Sequence, residues 1–340
     1  MEKVITSIKE QWDALKEQQP KLRIRDAAKQ LGVSEAELVN TGVNSHVIKL
    51  AGDFKELLKE VVTLGYVMAL TRNDFCVHER KGVYKKAGFN GHVGLVVTPD
   101  IDLRLFMTHW HFGFAVNEND RLSLQFFDSN GEAVHKIYLT DQSDIAAYHK
   151  LVQQYRAEQQ EGELPVIASA DKTVEIPDHE IDLKSFHQEW INLQDTHDFH
   201  GMLRKYQLTR TQALRLAPEG YAHQITVDNL KNVLQKASEQ LAEIMVFTGS
   251  AGCIQIHTGH VKKLVETGPW FNVLDPEFNM HLRLDGISKL WLVKKPTVDG
   301  LVHSIEAYDA QGNTIVQFFG KRKPGIPESE AWRSILNDIL

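Results

Sequence analysis

The stretch Leu193-Gln194-Asp195-Thr196-His197-Asp198-Phe199-His200 holds the residues best suited to metal chemistry. Asp195 is expected as a helix N-cap, accepting backbone N–H bonds, with Asp198 three residues on as a box-like partner. Met202, Leu203, Tyr206 and Leu208 then form an apolar face. His197 falls in the first turn, where the helix dipole presents positive potential. That potential favours the neutral imidazole, the form that ligates a metal. His200, one turn away, is a competing imidazole.

Cations and aromatics recur elsewhere in the chain. Arg104 sits inside the apolar run 103–107, and Arg210 follows Thr209 at an expected helix start. Lys294-Lys295-Pro296 and Lys321-Arg322-Lys323 end expected strands. If these converge near a neutral histidine, with Phe106 and Phe247 as walls, they suit a flat, anionic, metal-bearing ligand. Haem meets that description: imidazole on iron, apolar faces, and Arg or Lys on the propionates. Taken singly, each cation also reads as a solvated surface charge, and each phenylalanine as ordinary core.

Other chemistries lack their residues. There is no Gly-rich phosphate loop, HExxH, GxSxG or dinucleotide fingerprint. The net charge of −7 gives no global case for nucleic acid or anionic membrane. Cys76 and Cys253 make neither a disulfide framework nor a CxxC pair. No apolar run is long enough to span a bilayer, and Met1-Glu2-Lys3-Val4 lacks an apolar signal region. A soluble protein of a reducing cytoplasm is expected, not membrane-inserted and without a nucleic-acid partner.

With 340 residues and 42% hydrophobic content, the chain suggests two folded halves. Residues 2–39 carry helical periodicity. Gly32 ends one helix, and Ser34 with Glu37 caps the next. This pair resembles a helix-turn-helix, so a DNA-binding regulator is a competing reading. Its second helix, Ser34-Glu35-Ala36-Glu37-Leu38, is acidic, whereas recognition helices need donors. Strand patterning runs from about 65 to 138, with Asn130-Gly131 as a hairpin signal. A helix follows at 143–157, and residues 158–184 read as a linker. The second half repeats the order: helices over about 185–216 and 226–240, strands to about 320, and a short terminal helix with Trp332 and Ile335.

The repeat has residue-level support. Cys76-Val77-His78 with Gly82 matches Cys253-Ile254-Gln255 with Gly259. Leu103-Arg104-Leu105 matches Leu282-Arg283-Leu284, and the run from Ser123 to Gly131 matches that from Ser304 to Gly312. The offset drifts from 177 to 181. The chain therefore reads as two homologous α+β halves, 1–157 and 185–340, each a helical cap followed by an antiparallel sheet.

These segments resemble the HemS/ChuS-type hemin transport and hemin-degrading proteins, cytoplasmic haem-utilisation proteins of Gram-negative bacteria. The resemblance runs through Arg25-Asp26, Arg72-Asn73, Val77-His78-Glu79, Asn90-Gly91-His92 and Asp102-Leu103-Arg104-Leu105-Phe106. It continues in Leu208-Thr209-Arg210, Glu243–Phe247, Gly252-Cys253, Lys295-Pro296-Thr297 and Asp299-Gly300. It implies a pseudo-duplicated α+β fold with two large antiparallel β-sheets stacked centrally, flanking helices, and the main haem pocket in the C-terminal half. It implies His197 as axial ligand to haem iron, Arg104 as a distal arginine reaching from the N-terminal half, and catalytic roles for both. Arg210, Lys295 and Arg322 correspond to pocket cations, and Phe106, Phe247 and Gln317 to other pocket positions. His78 corresponds to a second haem site in the N-terminal half of some members. Phe319 departs from the tyrosine associated with the family. The implied function is to receive imported haem and either degrade it, with an electron donor that the sequence does not identify, or hand it on. A pure haem carrier is the alternative. An inner-membrane haem importer and a downstream haem-degrading enzyme are the implied partners.

Overall fold

The computed structural model describes residues 7–85, 87–168, 174–323 and 325–338. Residues 1–6, which carry the expectation about a leader, and 169–173 of the expected linker lie outside these. Helices α1 (Ile8–Gln18), α2 (Ile24–Leu31) and α3 (Glu35–Asn40) open the chain, before strand β1 (Val47–Leu50) and helix α4 (Phe54–Glu60). Strands β2 (Gly65–Arg72), β3 (Cys76–Val83), β4 (Gly88–Asn90) and β5 (Val93–Val97) follow. Then come β6 (Asp102–Phe106), β7 (Phe112–Glu118), β8 (Arg121–Phe127), β9 (Ala133–Ser143) and helix α5 (Ile145–Gln154).

The second half begins with α6 (Leu183–Ile191), α7 (Asp198–Lys205), α8 (Arg210–Arg215), β10 (Ala222–Gln224) and α9 (Val227–Glu239). Its strands are β11 (Ile244–Gly249), β12 (Cys253–Gly259), β13 (Leu264–Thr267) and β14 (Trp270–Leu274). They continue as β15 (Phe278–Arg283), β16 (Lys289–Thr297), β17 (Gly300–Tyr308) and β18 (Thr314–Gly320), before α10 (Glu330–Asn337). Two nine-stranded antiparallel sheets result, ordered β1-β7-β8-β9-β2-β3-β15-β14-β13 and β10-β16-β17-β18-β11-β12-β6-β5-β4. Among the described residues, no helix is long and apolar enough to cross a membrane.

The chain forms two compact units, and each takes six residues from the other half of the sequence. Unit 1 comprises Met1–Arg72, Glu79–Ala170 and Ser250–Gln255. Unit 2 comprises Asn73–His78, Asp171–Gly249 and Ile256–Leu340. The exchanged hexapeptides are themselves a repeat pair, 177 residues apart. Backbone bonds follow the same offset: Asn73 N to Cys76 O matches Ser250 N to Cys253 O, and Phe106 N to Gly252 O matches Arg283 N to Phe75 O.

That second pair revises the repeat alignment. Phe106 is equivalent to Arg283, and Arg104 to His281, so the two Leu-Arg-Leu tripeptides are two residues out of structural register. Later in the chain the offset is 181: Gly131 N to Asp128 O matches Gly312 N to Asp309 O. The β7–β8 and β16–β17 hairpins account for the step. Both end in two-residue tips, Asn119-Asp120 and Val298-Asp299, but β16–β17 carries the additional pairs Pro296↔Leu301 and Thr297↔Gly300.

Local chemistry explains the elements that position the rest. Gly32 ends α2 in the left-handed region at φ +67, its N–H reaching Ala28 O and Lys29 O. Ser34 and Glu37 make the reciprocal capping box of α3. Glu35, Ala36, Leu38 and Val39 of α3 are all buried, and the Glu35 carboxylate binds Arg72 and Lys136. The helix-turn-helix expectation therefore fails at its recognition helix, whose side chains serve packing.

In unit 2 the alternation of β11 buries Ile244, Val246 and Thr248. Ile244 and Val246 join Leu230, Val233 and Leu234 of α9, Ile305, Val316, Phe318, and Trp332 of α10 in one core. Each such side chain contributes about 1.5–3 kcal/mol of burial.

The repeat supplies an internally controlled prediction at its hairpin glycines. Gly131 (φ +75) and Gly312 (φ +81) are equivalent, and a Cβ at either forces a left-handed L residue. That strain costs about 1–2 kcal/mol. At Gly131 the added Cβ also drives into the Ser34 side chain, whereas at Gly312 its nearest neighbour is Thr211 Oγ1 at 3.1 Å. Gly131→Ala should therefore lower the denaturant midpoint more than Gly312→Ala; equal shifts would reject the close approach of α3 to this turn.

Candidate functional site

Within unit 2, strands β10-β16-β17-β18-β11 form a continuous antiparallel segment. Its register aligns Trp291, Glu306, Gln317 and Phe247 in one row, and Val293, Ser304, Phe319 and Met245 in the next. Residues two apart on a strand share a face, so both rows face the same way. Helices α6–α8 cover part of this face, packing Phe186, Trp190, Phe199, Met202 and Leu203 with Val293 and Tyr308. Phe247, Gln317, Phe319 and Met245 remain half-buried. The Phe247 and Phe319 rings lie 4.9 Å apart.

The same rows in unit 1 are nearly closed. Phe114, Gln125, Lys136 and Leu70 occupy the first row, and all four are buried. There the long Lys136 side chain turns to Glu35. In unit 2 the equivalent of Lys136 is Gln317, whose amide Nε2 is buried without a hydrogen-bond partner. Trp291 Nε1 is buried and unpartnered in the same way. Unsatisfied buried donors are costly, and two in one row suit an acceptor-rich ligand.

A buried charge cluster lies in this row. Glu306 is fully buried and accepts from Lys295 Nζ at 2.6 Å, Arg210 Nε at 3.0 Å and Ser304 Oγ at 2.8 Å, and from Tyr308. Burial would raise its pKa, but Arg210 and Lys295 hold the carboxyl far below the usual range. Burial lowers Lys295 to about 8, against the opposing pull of Glu306. Burial also opposes the Arg210 charge, yet Glu306 and Tyr308 outweigh it and keep the guanidinium charged. Arg210 and Lys295 thus come together, but Glu306 reduces their combined charge to one. Both stand over the Phe199 ring of α7, at 5.4 and 4.7 Å.

His197 is the N-cap of α7, so the helix begins two residues later than an Asp195 cap would give. Asp195 instead accepts from His197 N at 2.8 Å and contacts its Nδ1 at 2.6 Å. The Asp195 carboxyl is held below its ordinary pKa, first by the His197 backbone bond, then by its ring and the Arg322 charge. The His197 side chain is 88% exposed. An imidazole whose Nδ1–H is fixed on a carboxylate presents the Nε2 lone pair outward, the arrangement of metal-ligating histidines. His200 remains solvent-accessible; partial burial, then Arg210 and Lys295, lower its pKa. Arg322 is mostly buried and lies 3.8 Å from Asp299.

The remaining candidates are carried by β3 and β6. His78 belongs to unit 2 and is fully buried, its ring 4.9 Å from Phe278, so a ligand there would require that core to open. Arg104 and Phe106 belong to unit 1, on the face of β6 opposite the buried Leu103 and Leu105. The Arg104 guanidinium is 34% exposed and pairs with Asp102. Reading by residue type missed Glu306 and Tyr308. The signal was present in Ser304-Ile305-Glu306-Ala307-Tyr308, an acid inside an otherwise apolar strand.

The residues fit an anionic, aromatic, metal-bearing ligand: an outward imidazole, two phenylalanines, unpartnered donors and a net positive cluster. Comparison with known proteins agrees. The haemin-degrading HemS.ChuX domain model matches twice, at residues 32–155 and 207–339. The chain belongs to this HemS/ChuX family. The hemin transport protein HemS of Yersinia enterocolitica is 37% identical over 333 residues, covering 96% of this chain and 95% of that one. Apo-PhuS, a heme-binding protein from Pseudomonas aeruginosa, is 46% identical with a TM-score of 0.94, covering 97% of each chain. The heme-degrading enzyme ChuS of Escherichia coli O157:H7 is 34% identical with a TM-score of 0.91, covering 97% of this chain and 98% of that one. The double match also agrees with the internal repeat.

Proposed function

We propose that this protein binds haem in unit 2, with His197 as axial ligand, and serves cytoplasmic haem utilisation by receiving imported haem and degrading it or handing it on. The observation that carries the reading is the outward-facing His197 imidazole in the unit whose strand rows stay open. Phe247 and Phe319 would wall the ring, and Gln317 and Arg322 would donate to its acidic edge. Arg210 and Lys295 would supply a single net positive charge behind Phe199. An inner-membrane importer as donor and a separate haem-degrading enzyme as acceptor belong to the same reading.

Haem titration tests binding, and exposure of the complex to a reductant under air separates the two fates. Loss of the Soret band with release of iron or a tetrapyrrole product establishes degradation. A persistent Soret band, with transfer to an apo-acceptor, establishes carriage. Failure to bind haem at micromolar concentration would overturn the proposal.

Arg104 and Phe106 are carried as further ligand contacts on the family resemblance. A guanidinium is permanently charged and offers planar paired donors. Arg104→Ala is therefore expected to change the haem spin state and any turnover while affinity through His197 survives. Arg104→Lys restores charge without the fork and should rescue only partly. Unchanged spectra in Arg104→Ala would confine this residue to its pair with Asp102.

A further inference from the structure

The β16–β17 hairpin outreaches its unit 1 counterpart by two rungs. The pair Lys295↔Val302 corresponds to Glu118↔Arg121, and beyond it stand Pro296↔Leu301 and Thr297↔Gly300. Two more residues per strand extend the tip by about 7 Å. In unit 1 the tip closes as Asn119-Asp120, both at positive φ. The Val298-Asp299 tip of unit 2 is stabilised internally, by Thr297 Oγ1 donating to Gly300 O at 2.8 Å and accepting from Asp299 N at 3.2 Å.

The extension meets the ligand-bearing loop. Val298 N donates to Gln194 O at 2.9 Å, one residue before the Asp195 that holds the His197 ring. Asp299 accepts from Gly325 N at 3.0 Å and faces Arg322 at 3.8 Å. The tip therefore touches the 193–197 segment through Gln194, and Arg322 and Gly325 after β18. Residues 193–197 and 321–323 are not regular helix or strand, so without such a brace their backbone order is weak. Among the described residues, the His197 side chain is tied through Asp195 alone.

We infer that the two added rungs of the β16–β17 hairpin are the positioning element of the haem site, with Val298 and Asp299 as positioning residues that hold the His197 loop and Arg322 in register. This rests on the assignment of His197 as axial ligand. It also accounts for an asymmetry between the repeats: unit 1 lacks the rungs.

Three variants test it: Asp299→Ala, Asp299→Glu, and a trimmed hairpin in which residues 296–301 are replaced by the Asn-Asp tip of unit 1. Apo thermal unfolding, the rate of haem loss to apomyoglobin and the iron–histidine resonance Raman band are read for each, with His197→Ala as control. Asp299→Ala should keep its apo Tm within about 2 °C, lose haem about tenfold faster, and broaden the iron–histidine band. Asp299→Glu should recover part of the rate. The trimmed hairpin should show the larger effect, and if it fails to fold, the Asp299 variants decide alone. Wild-type rate and band in Asp299→Ala, with the band lost in His197→Ala, would overturn the positioning role alone. An unaltered band in His197→Ala would overturn the ligand assignment and this inference with it.

Discussion

Replacing His197 with alanine should weaken haem binding by about 100-fold or more, equivalent to about 2.8 kcal/mol, and remove the iron–histidine band. The effect is large because the other contacts available to a ligand in unit 2 are dispersed: two aromatic faces, single donors and one net charge. None supplies a metal bond. His200→Ala is the matched control, because His200 lies one turn further along α7 and, among the described residues, contacts no carboxylate in the way that His197 contacts Asp195. It should leave both affinity and the band unchanged. Asp195→Asn separates the ring from its support: the acceptor remains, but the charge is lost, and affinity should fall about tenfold. Because the Asp195 pKa is depressed, its carboxylate stays ionised in mildly acidic solution, and the Nδ1–H acceptor persists there. A His197→Ala protein with the wild-type band would transfer the ligand role elsewhere.

How much of this was legible beforehand depended on whether the signal was local. Gly32, Ser34 and Glu37 state a helix end and a helix start within six residues, and both occur as read. The turn at Asn130-Gly131 is equally local. Asp195 was misplaced because an aspartate just before a helix can be its N-cap or can stand two residues ahead of the N-cap and bond that residue's N–H, and composition does not choose between them. The Leu-Arg-Leu match erred because alternation makes a shift of two residues invisible: every side chain keeps its face. The exchange of residues 73–78 and 250–255 depends on pairing between distant strands and has no local signature. The difference between Lys136 and Gln317 at equivalent row positions is likewise distant in origin, because the lysine is buried on Glu35 of α3, 101 residues earlier.

Removing the Glu306 carboxylate should be the most destabilising single change at the site. Glu306→Gln leaves Arg210 and Lys295 buried without their counter-charge. Breaking a buried pair from one side costs about 3–5 kcal/mol, because the stranded charge keeps its desolvation penalty. Lys295 can escape by losing its proton, since burial already brings it to about 8; Arg210 cannot.

The pH dependence has a definite sign. The folded-state pKa of Glu306 is depressed below the ordinary 4.5, so its contribution is fully present above about pH 4.5 and is lost as pH falls toward the folded value. Lys295 acts in another window. Its folded pKa lies below the ordinary 10.5, so stability from this group rises with pH between about 8 and 10.5. Urea unfolding at pH 7 and pH 4 should therefore show a gap between wild type and Glu306→Gln that narrows in acid. The triple variant Arg210→Met, Lys295→Met, Glu306→Leu should recover most of the loss at pH 7, since apolar replacement of a whole buried cluster is often neutral or better. A Glu306→Gln protein as stable as wild type at pH 7 would mean that the cluster is solvated in solution rather than sealed behind Phe199.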